Sequence, residues 1–225
     1  MRLKDCVLAG LWLFLASTAG AAEPLQLPHR LEGKAEVLAS TDPDYARADL
    51  PSAVKPEGEG GISQGIVARL TQDIPVWRLW SGPEKKDSRG NTNRIGQWWG
   101  YDPARGSQQE YRTRFEICLP WNDLTWVAKC TLKKGTVVAI GPGNSVSAMV
   151  CGDPTGQEAY PANPDDWQIW LSRAWTRTGA DKELDCPAET EDYEANPANI
   201  AMKKPAKKPA KKPAKKPVKK PASAP

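Results

Sequence analysis

Histidine is nearly missing from this chain of 225 residues: His29 is the only one. Its scarcity excludes a serine–histidine–aspartate triad, a cysteine–histidine pair and a multi-histidine metal site from any body that folds beyond it. The five cysteines contain no Cys-x-x-Cys spacing, so the commonest zinc-binding pattern is absent too. No Gly-x-Ser-x-Gly element occurs. Gly141-Pro142-Gly143-Asn144-Ser145 lacks the lysine of a phosphate-binding loop and reads as a turn. Past the amino terminus, no apolar run approaches the ~20 residues that a membrane-spanning helix needs. These absences predict no metal, no cofactor, and no transmembrane segment once the amino-terminal signal is removed.

What is present begins with that signal. Arg2 and Lys4 precede the apolar run Val7–Ala16, and Ala19-Gly20-Ala21 fits the small-x-small cleavage rule. Residues 1–21 therefore read as a secretory signal peptide, which sends the chain to the periplasm or outside the cell. Export gives the remaining cysteines, Cys118, Cys130, Cys151 and Cys186, a meaning: an even count in an oxidising compartment predicts two disulfides. Three connectivities are possible. Sequence proximity favours Cys118–Cys130 with Cys151–Cys186.

Residues 22–60 are rich in proline, alanine, glutamate and glycine without sustained periodicity, and read as an extended, disordered leader. Residues 61–186 read as a single small, disulfide-stapled α+β domain rich in β-structure. Pro75–Trp80 alternates like a strand, and Gly96–Gly100 is a short aromatic segment between glycines. Tyr111–Leu119 fits a strand and a helix equally well. Trp126–Leu132 and Thr136–Ile140 read as a hairpin turning at Lys133-Lys134-Gly135. Trp167–Leu171 reads as a last strand. Residues 187–202 form an acidic linker, and residues 203–225 a disordered lysine-, proline- and alanine-rich tail.

Charge is divided unevenly. Between Glu23 and Met202 the chain has 19 basic and 26 acidic residues. The tail carries ten lysines and no acid: Lys203, Lys204, Lys207, Lys208, Lys211, Lys212, Lys215, Lys216, Lys219 and Lys220. Proline at every fourth position blocks helix formation, so the repeat favours an extended, solvated chain. Such a polycation binds polyanions by counterion release. The partners it predicts are an anionic envelope polymer, lipid headgroups or another protein, with nucleic acid a further candidate through the tail. Nine of the ten tryptophans lie between Trp77 and Trp175. Trp98 and Trp99 are adjacent, so a strand cannot point both inward; one of them is a candidate exposed platform for stacking on sugars or bases.

Two resemblances add expectations. The Lys-Lys-Pro-Ala repeat resembles the tails of histone-H1-like proteins, which implies nucleic-acid binding. The order Val76-Trp77-Arg78-Leu79-Trp80, Gly96-Gln97-Trp98-Trp99, Gly135–Gly141 and Trp167-Gln168-Ile169-Trp170 resembles secreted ADP-ribosyltransferase-like toxin domains. That resemblance implies an NAD site in which Arg78 contacts phosphate or ribose and Trp98 or Trp99 flanks the nicotinamide. Gln168 then occupies the place of the family's glutamate. The departure matters chemically, because an amide lacks the charge that stabilises a developing oxocarbenium ion. The residues together favour an exported, non-enzymatic binding or interference protein at the cell envelope, such as an inhibitory accessory factor of a mobile element. An ADP-ribosyltransferase-like or NAD-cleaving toxin domain and a carbohydrate or peptidoglycan binder are the alternatives.

Overall fold

The computed structural model describes residues 25–205. In chain order the strands are β1 (Ala35–Val37), β2 (Ile66–Leu70), β3 (Ile74–Trp80), β4 (Trp98–Trp99), β5 (Trp126–Leu132), β6 (Val137–Pro142), β7 (Trp167–Trp170), β8 (Leu184–Asp185), β9 (Tyr193–Asn196) and β10 (Asn199–Lys203). Three short helices join them: α1 (Leu50–Ala53), α2 (Gln108–Arg114) and α3 (Ala148–Cys151). The strands form two five-membered antiparallel sheets. The first is ordered β1-β2-β6-β7-β4; the second is β10-β9-β5-β3, with β8 also on β5. The chain is thus a small β-rich α+β domain closed by two disulfides, and no helix among the described residues is long and apolar enough to cross a membrane.

Alternation along the strands builds three apolar layers. Ala68, Leu70, Val138, Ile140 and Ile169 of the first sheet meet Ile74, Val76, Cys130 and Leu132 of the second. The intervening residues Val67, Val137 and Ala139 point to the outer face of the first sheet. Leu79 and Val127 point to the outer face of the second, where Tyr111 of α2 and Leu124 cover them. Every residue of β6 is buried because both of its faces are covered.

That double burial overturns the expected hairpin. β5 and β6 do not pair: β6 lies between β2 and β7, and β5 between β3 and β9. The Lys133-Lys134-Gly135 turn is real, with Gly135 at φ 86° and its N–H donating to Leu70 O at 2.8 Å. It carries the chain from one sheet to the other. Alternating residues around a glycine turn do not reveal whether the second strand folds back onto the first or onto the opposite layer.

Both flanks differ from the expectation. Leu25 onward belongs to the domain: β1 pairs with β2, Leu31 and Ala35 enter the inter-sheet core, and Leu38, Ala48 and Ala53 cover the first sheet's outer face. The acidic segment at 187–202 is no linker. It supplies β9 and β10, buries Ala195 and Ile200, and is anchored by a two-pronged Arg94–Asp192 pair at 2.6 and 2.9 Å. Isolated small or apolar residues in a polar context gave no periodic signal in either segment. The signal peptide expected at 1–21 and the tail lysines beyond Lys204 lie outside the described residues.

The Tyr111–Leu119 ambiguity resolves to helix α2 followed by a loop. Ser107 accepts the Glu110 N–H while the Glu110 carboxylate accepts the Ser107 N–H, a reciprocal cap of about 1 kcal/mol. Both disulfides form, but with other partners than proximity suggested: Cys118–Cys151 and Cys130–Cys186. Cys130 sits on the inward face of β5, whereas Cys118 lies in the loop after α2 and meets the end of α3.

Candidate functional site

Arg78 of β3, Trp98 and Trp99 of β4, and Gln168 of β7 converge on one cavity, completed by Tyr111 and Phe115 from the α2 region. The geometry begins with Gly96. A β-carbon there would lie 2.3 Å from the Arg78 guanidinium, so only glycine lets the arginine lie across this backbone. The guanidinium donates to Asn93 O at 3.2 Å and to Trp98 O at 2.9 Å. Burial pulls its pKa down to about 10, partly offset by Tyr111, so it remains a cation at neutral pH. Burial likewise pushes the Tyr111 phenol up to about 12.

The tryptophan pair does not make an exposed platform. Trp99 is only 2 % exposed and donates its indole N–H to Gly96 O at 2.7 Å. Trp98 is half-buried against Trp170, with ring centroids 4.7 Å apart. The alternation argument holds, since Trp99 faces the inter-sheet core and Trp98 the outer face. It fails as a guide to exposure because the segment before β2 covers that outer face as well.

Behind Gln168 stands Glu116, a residue that sequence patterning did not single out. It is 2 % exposed, adopts φ 47°, and has one carboxyl oxygen with no partner among the described residues. The other oxygen lies 3.5 Å from the Gln168 amide nitrogen. A β-carbon on residue 143 would come within 2.2 Å of it, which accounts for Gly143. Burial, helped by the negative charge of Asp166, pushes the Glu116 pKa up to about 9 against a backbone N–H from Asn163. Glu116 is therefore a neutral acid at physiological pH. Asp166 accepts from Arg114 Nε at 2.9 Å and Asn163 Nδ2 at 2.9 Å, which holds its carboxyl below the usual range.

The cavity has a volume of about 40 Å³. That admits a few waters, whereas small-molecule sites run to about 300–1,000 Å³. The arginine is committed to backbone carbonyls, and no ionised carboxylate lines the space. As built, the site does not accommodate a dinucleotide.

No family, curated protein or solved structure matches this chain. Its surface must supply the remaining argument.

Among the described residues, four of the exposed large apolar side chains flank the Cys118–Cys151 bridge. Leu119 and Trp121 follow Cys118, and Met149 and Val150 precede Cys151, so the disulfide gathers all four; Met149 is 88 % and Trp121 46 % exposed. The Trp121 ring packs against Gly60, where an added β-carbon would lie 3.3 Å away. Beside them runs an open groove of about 760 Å³, lined by Leu119, Pro120, Asp153, Pro154, Glu158 and Tyr160 among others. Asp153 accepts the Thr155 hydroxyl and the backbone N–H groups of Glu158, Thr155 and Gln157, and these bonds hold its pKa down to about 2. Cys118, Cys151 and Glu158 cluster closely enough to suggest a metal site, but the two sulfurs are bonded to each other and are not thiolate ligands. A second groove of about 960 Å³, with Trp175 58 % exposed at its wall, is lined by residues of both charges. Of the tail lysines, Lys203 lies over the Tyr193 ring at 5.9 Å and Lys204 pairs with Glu194 at 2.5 Å.

Proposed function

We propose that this chain is an exported binding protein that acts at the cell envelope without catalysis. The observation that carries the reading is the exposed face of Leu119, Trp121, Met149 and Val150, fixed in place by the Cys118–Cys151 bridge beside an open groove. Monomeric proteins seldom leave such residues grouped on the surface, and tryptophan and methionine are enriched where partners dock. Two disulfides suit an oxidising compartment, and the basic and apolar amino terminus supports export to the periplasm or beyond. In this reading the apolar face selects a protein partner, and the ten-lysine tail adds salt-sensitive attraction to anionic polymers or headgroups.

The test is retention on isolated envelopes. Trp121→Ala combined with Met149→Ser should weaken retention by about tenfold or more at any salt concentration, as loss of a central aromatic anchor does. Removing the tail should abolish only the salt-dependent part. Retention unchanged by the face substitutions would defeat the reading. Sugar recognition would instead show as retention on purified polysaccharide that Trp175→Ala removes.

A second reading is favoured by one observation: Arg78, Trp98, Trp99 and Gln168 do line a single cavity, as the ADP-ribosyltransferase-like resemblance implies. It requires that cavity to open. Release of nicotinamide from NAD, lost in Arg78→Lys, would establish it in place of the binding reading.

A further inference from the structure

The groove beside Leu119 has a chemistry of its own. Its walls carry Pro120, Pro154, Pro161 and Tyr160, and no lysine or arginine among the described residues lines it. Its charged groups are Asp153 and Glu158. Glu57 and Glu59 are exposed on the segment that reaches the same region, where Gly58 O accepts the N–H of Ser147 at the start of α3. Grooves lined by aromatic side chains receive polyproline-II segments, whose extended form is preset and costs little entropy to dock; here the edge of Tyr160, 9 % exposed, supplies the aromatic surface beside the prolines. Acidic residues at such a groove add a preference for cationic neighbours of the proline. The occupant this selects is a short extended segment with prolines next to lysines.

We propose that the groove formed by Leu119, Pro120, Asp153, Glu158 and Tyr160 holds the Lys-Lys-Pro-Ala repeat of this same chain. Three observations carry the assignment. The repeat is the proline- and lysine-rich sequence that the groove's walls and charges fit. The tail leaves the described body at the end of β10, where the N–H of Lys204 donates to Glu194 O; the turn at the other end of the same strand pair reaches α2, with Pro197 O accepting the N–H of Gln108, and Gln109 and Thr113 of that helix line the groove. Reach is ample, because the residues numbered 206–225 span about 60 Å as polyproline II, whereas a domain of this size has a radius of gyration of about 16 Å.

The repeat length adds a consequence. Polyproline II turns every three residues, so a four-residue repeat rotates each proline by about 120° from the last. The groove therefore engages one Lys-Lys-Pro unit at a time, and successive units exchange in the same place. Docking is local and multi-register, which leaves the remaining lysines free for an anionic surface. The assignment goes beyond the binding role proposed above and stands or falls separately from it.

Carbodiimide coupling of the full chain at low salt tests the assignment, because it joins a carboxylate to a lysine amine only when the two are in contact. Mass spectrometry of an equal mixture of isotopically light and heavy protein reads both the position and the source of each bond. The expected result is coupling of several tail lysines to Glu158 and Asp153, light to light and heavy to heavy. In Leu119→Ser, which removes an exposed apolar wall, the yield at these two positions should fall about threefold or more while coupling at Glu189 and Glu191 stays constant. Coupling as strong at Glu189 and Glu191 as at Glu158 would overturn the proposal in favour of undirected attraction. Bonds chiefly between light and heavy chains would overturn it in favour of a second copy. An unchanged Leu119→Ser pattern would show that the groove wall plays no part.

Discussion

The cavity around Arg78 and the groove around the Cys118–Cys151 bridge are built from similar materials and end in opposite states. The first joins an arginine, two tryptophans, a tyrosine and a glutamine, and closes to about 40 Å³. The second joins a tyrosine, prolines, a leucine and two carboxylates, and stays open at about 760 Å³. Their difference lies in what surrounds them. The cavity lies at the seam where the edge strands β3 and β4 of the two sheets meet beneath α2, so its polar groups are satisfied from within, by Asn93 O, Trp98 O and Gly96 O. The groove lies between loops pinned by a disulfide, with no third layer over it. Residue types that suggest chemistry can thus be consumed by packing, while a surface fit for recognition assembles from residues that form no motif.

Four measurements break or sharpen this contrast, and the largest effect belongs to the cavity. Trp99→Ala should lower unfolding stability by about 3–5 kcal/mol in urea titration, the usual cost of emptying a buried aromatic site. Next, Cys118→Ser with Cys151→Ser should cost about 2–4 kcal/mol and release the exposed face from its frame, visible as faster proteolysis between Leu119 and Val150. A loss under about 1 kcal/mol would show that the groove does not depend on its staple.

The third effect depends on pH. Glu116 is neutral in the folded state up to about 9 but ionises in the ordinary carboxyl range once unfolded. The folded state therefore binds one more proton between those limits. Stability is highest below the ordinary carboxyl pKa and falls as pH rises toward 9, by at most about 1.4 kcal/mol per pH unit. Carboxylates held below their usual range, such as Asp153 and Asp166, lose their contribution only in acid, so the interval from pH 5 to 8 isolates Glu116. Glu116→Gln should flatten that slope and add about 1–3 kcal/mol at pH 8. A wild-type unfolding midpoint independent of pH across the interval would refute the neutral acid. The smallest effect is Trp121→Ala, expected to change stability by less than about 1 kcal/mol because the ring is half exposed. Set beside Trp99→Ala, it separates a tryptophan that holds the fold from one available to a partner.

The same contrast explains what could be read before folding was known. β3, β5, β6 and β7 were visible because their residues alternate or run apolar, and the even cysteine count announced two bridges. Pairing was not visible. The turn at Gly135 is compatible with either sheet, and only the burial of both faces of β6 shows which one the chain chose. Leu31, Ala48, Ala53 and Ile200 each fill a place in the core from segments whose other residues are polar, so composition hid them. Glu116 carried no signal at all, since its character comes from Asp166, Gly143 and Gln168, all distant in sequence. Arg78, Trp98, Trp99 and Gln168 line one small cavity, and nothing in their sequence pattern shows that it is closed.

The disulfide connectivity also dictates an order of assembly. Cysteines 118 and 130 are near neighbours along the chain, whereas the native bridges span 33 and 56 residues. Short loops close sooner, so oxidation of the reduced chain is expected to join Cys118 to Cys130 first. Because strands β5 and β6 each wait for distant mates, native contacts arrive too late to prevent that error. Native pairing is then expected to require thiol exchange, which an added disulfide isomerase should speed in refolding of the reduced chain.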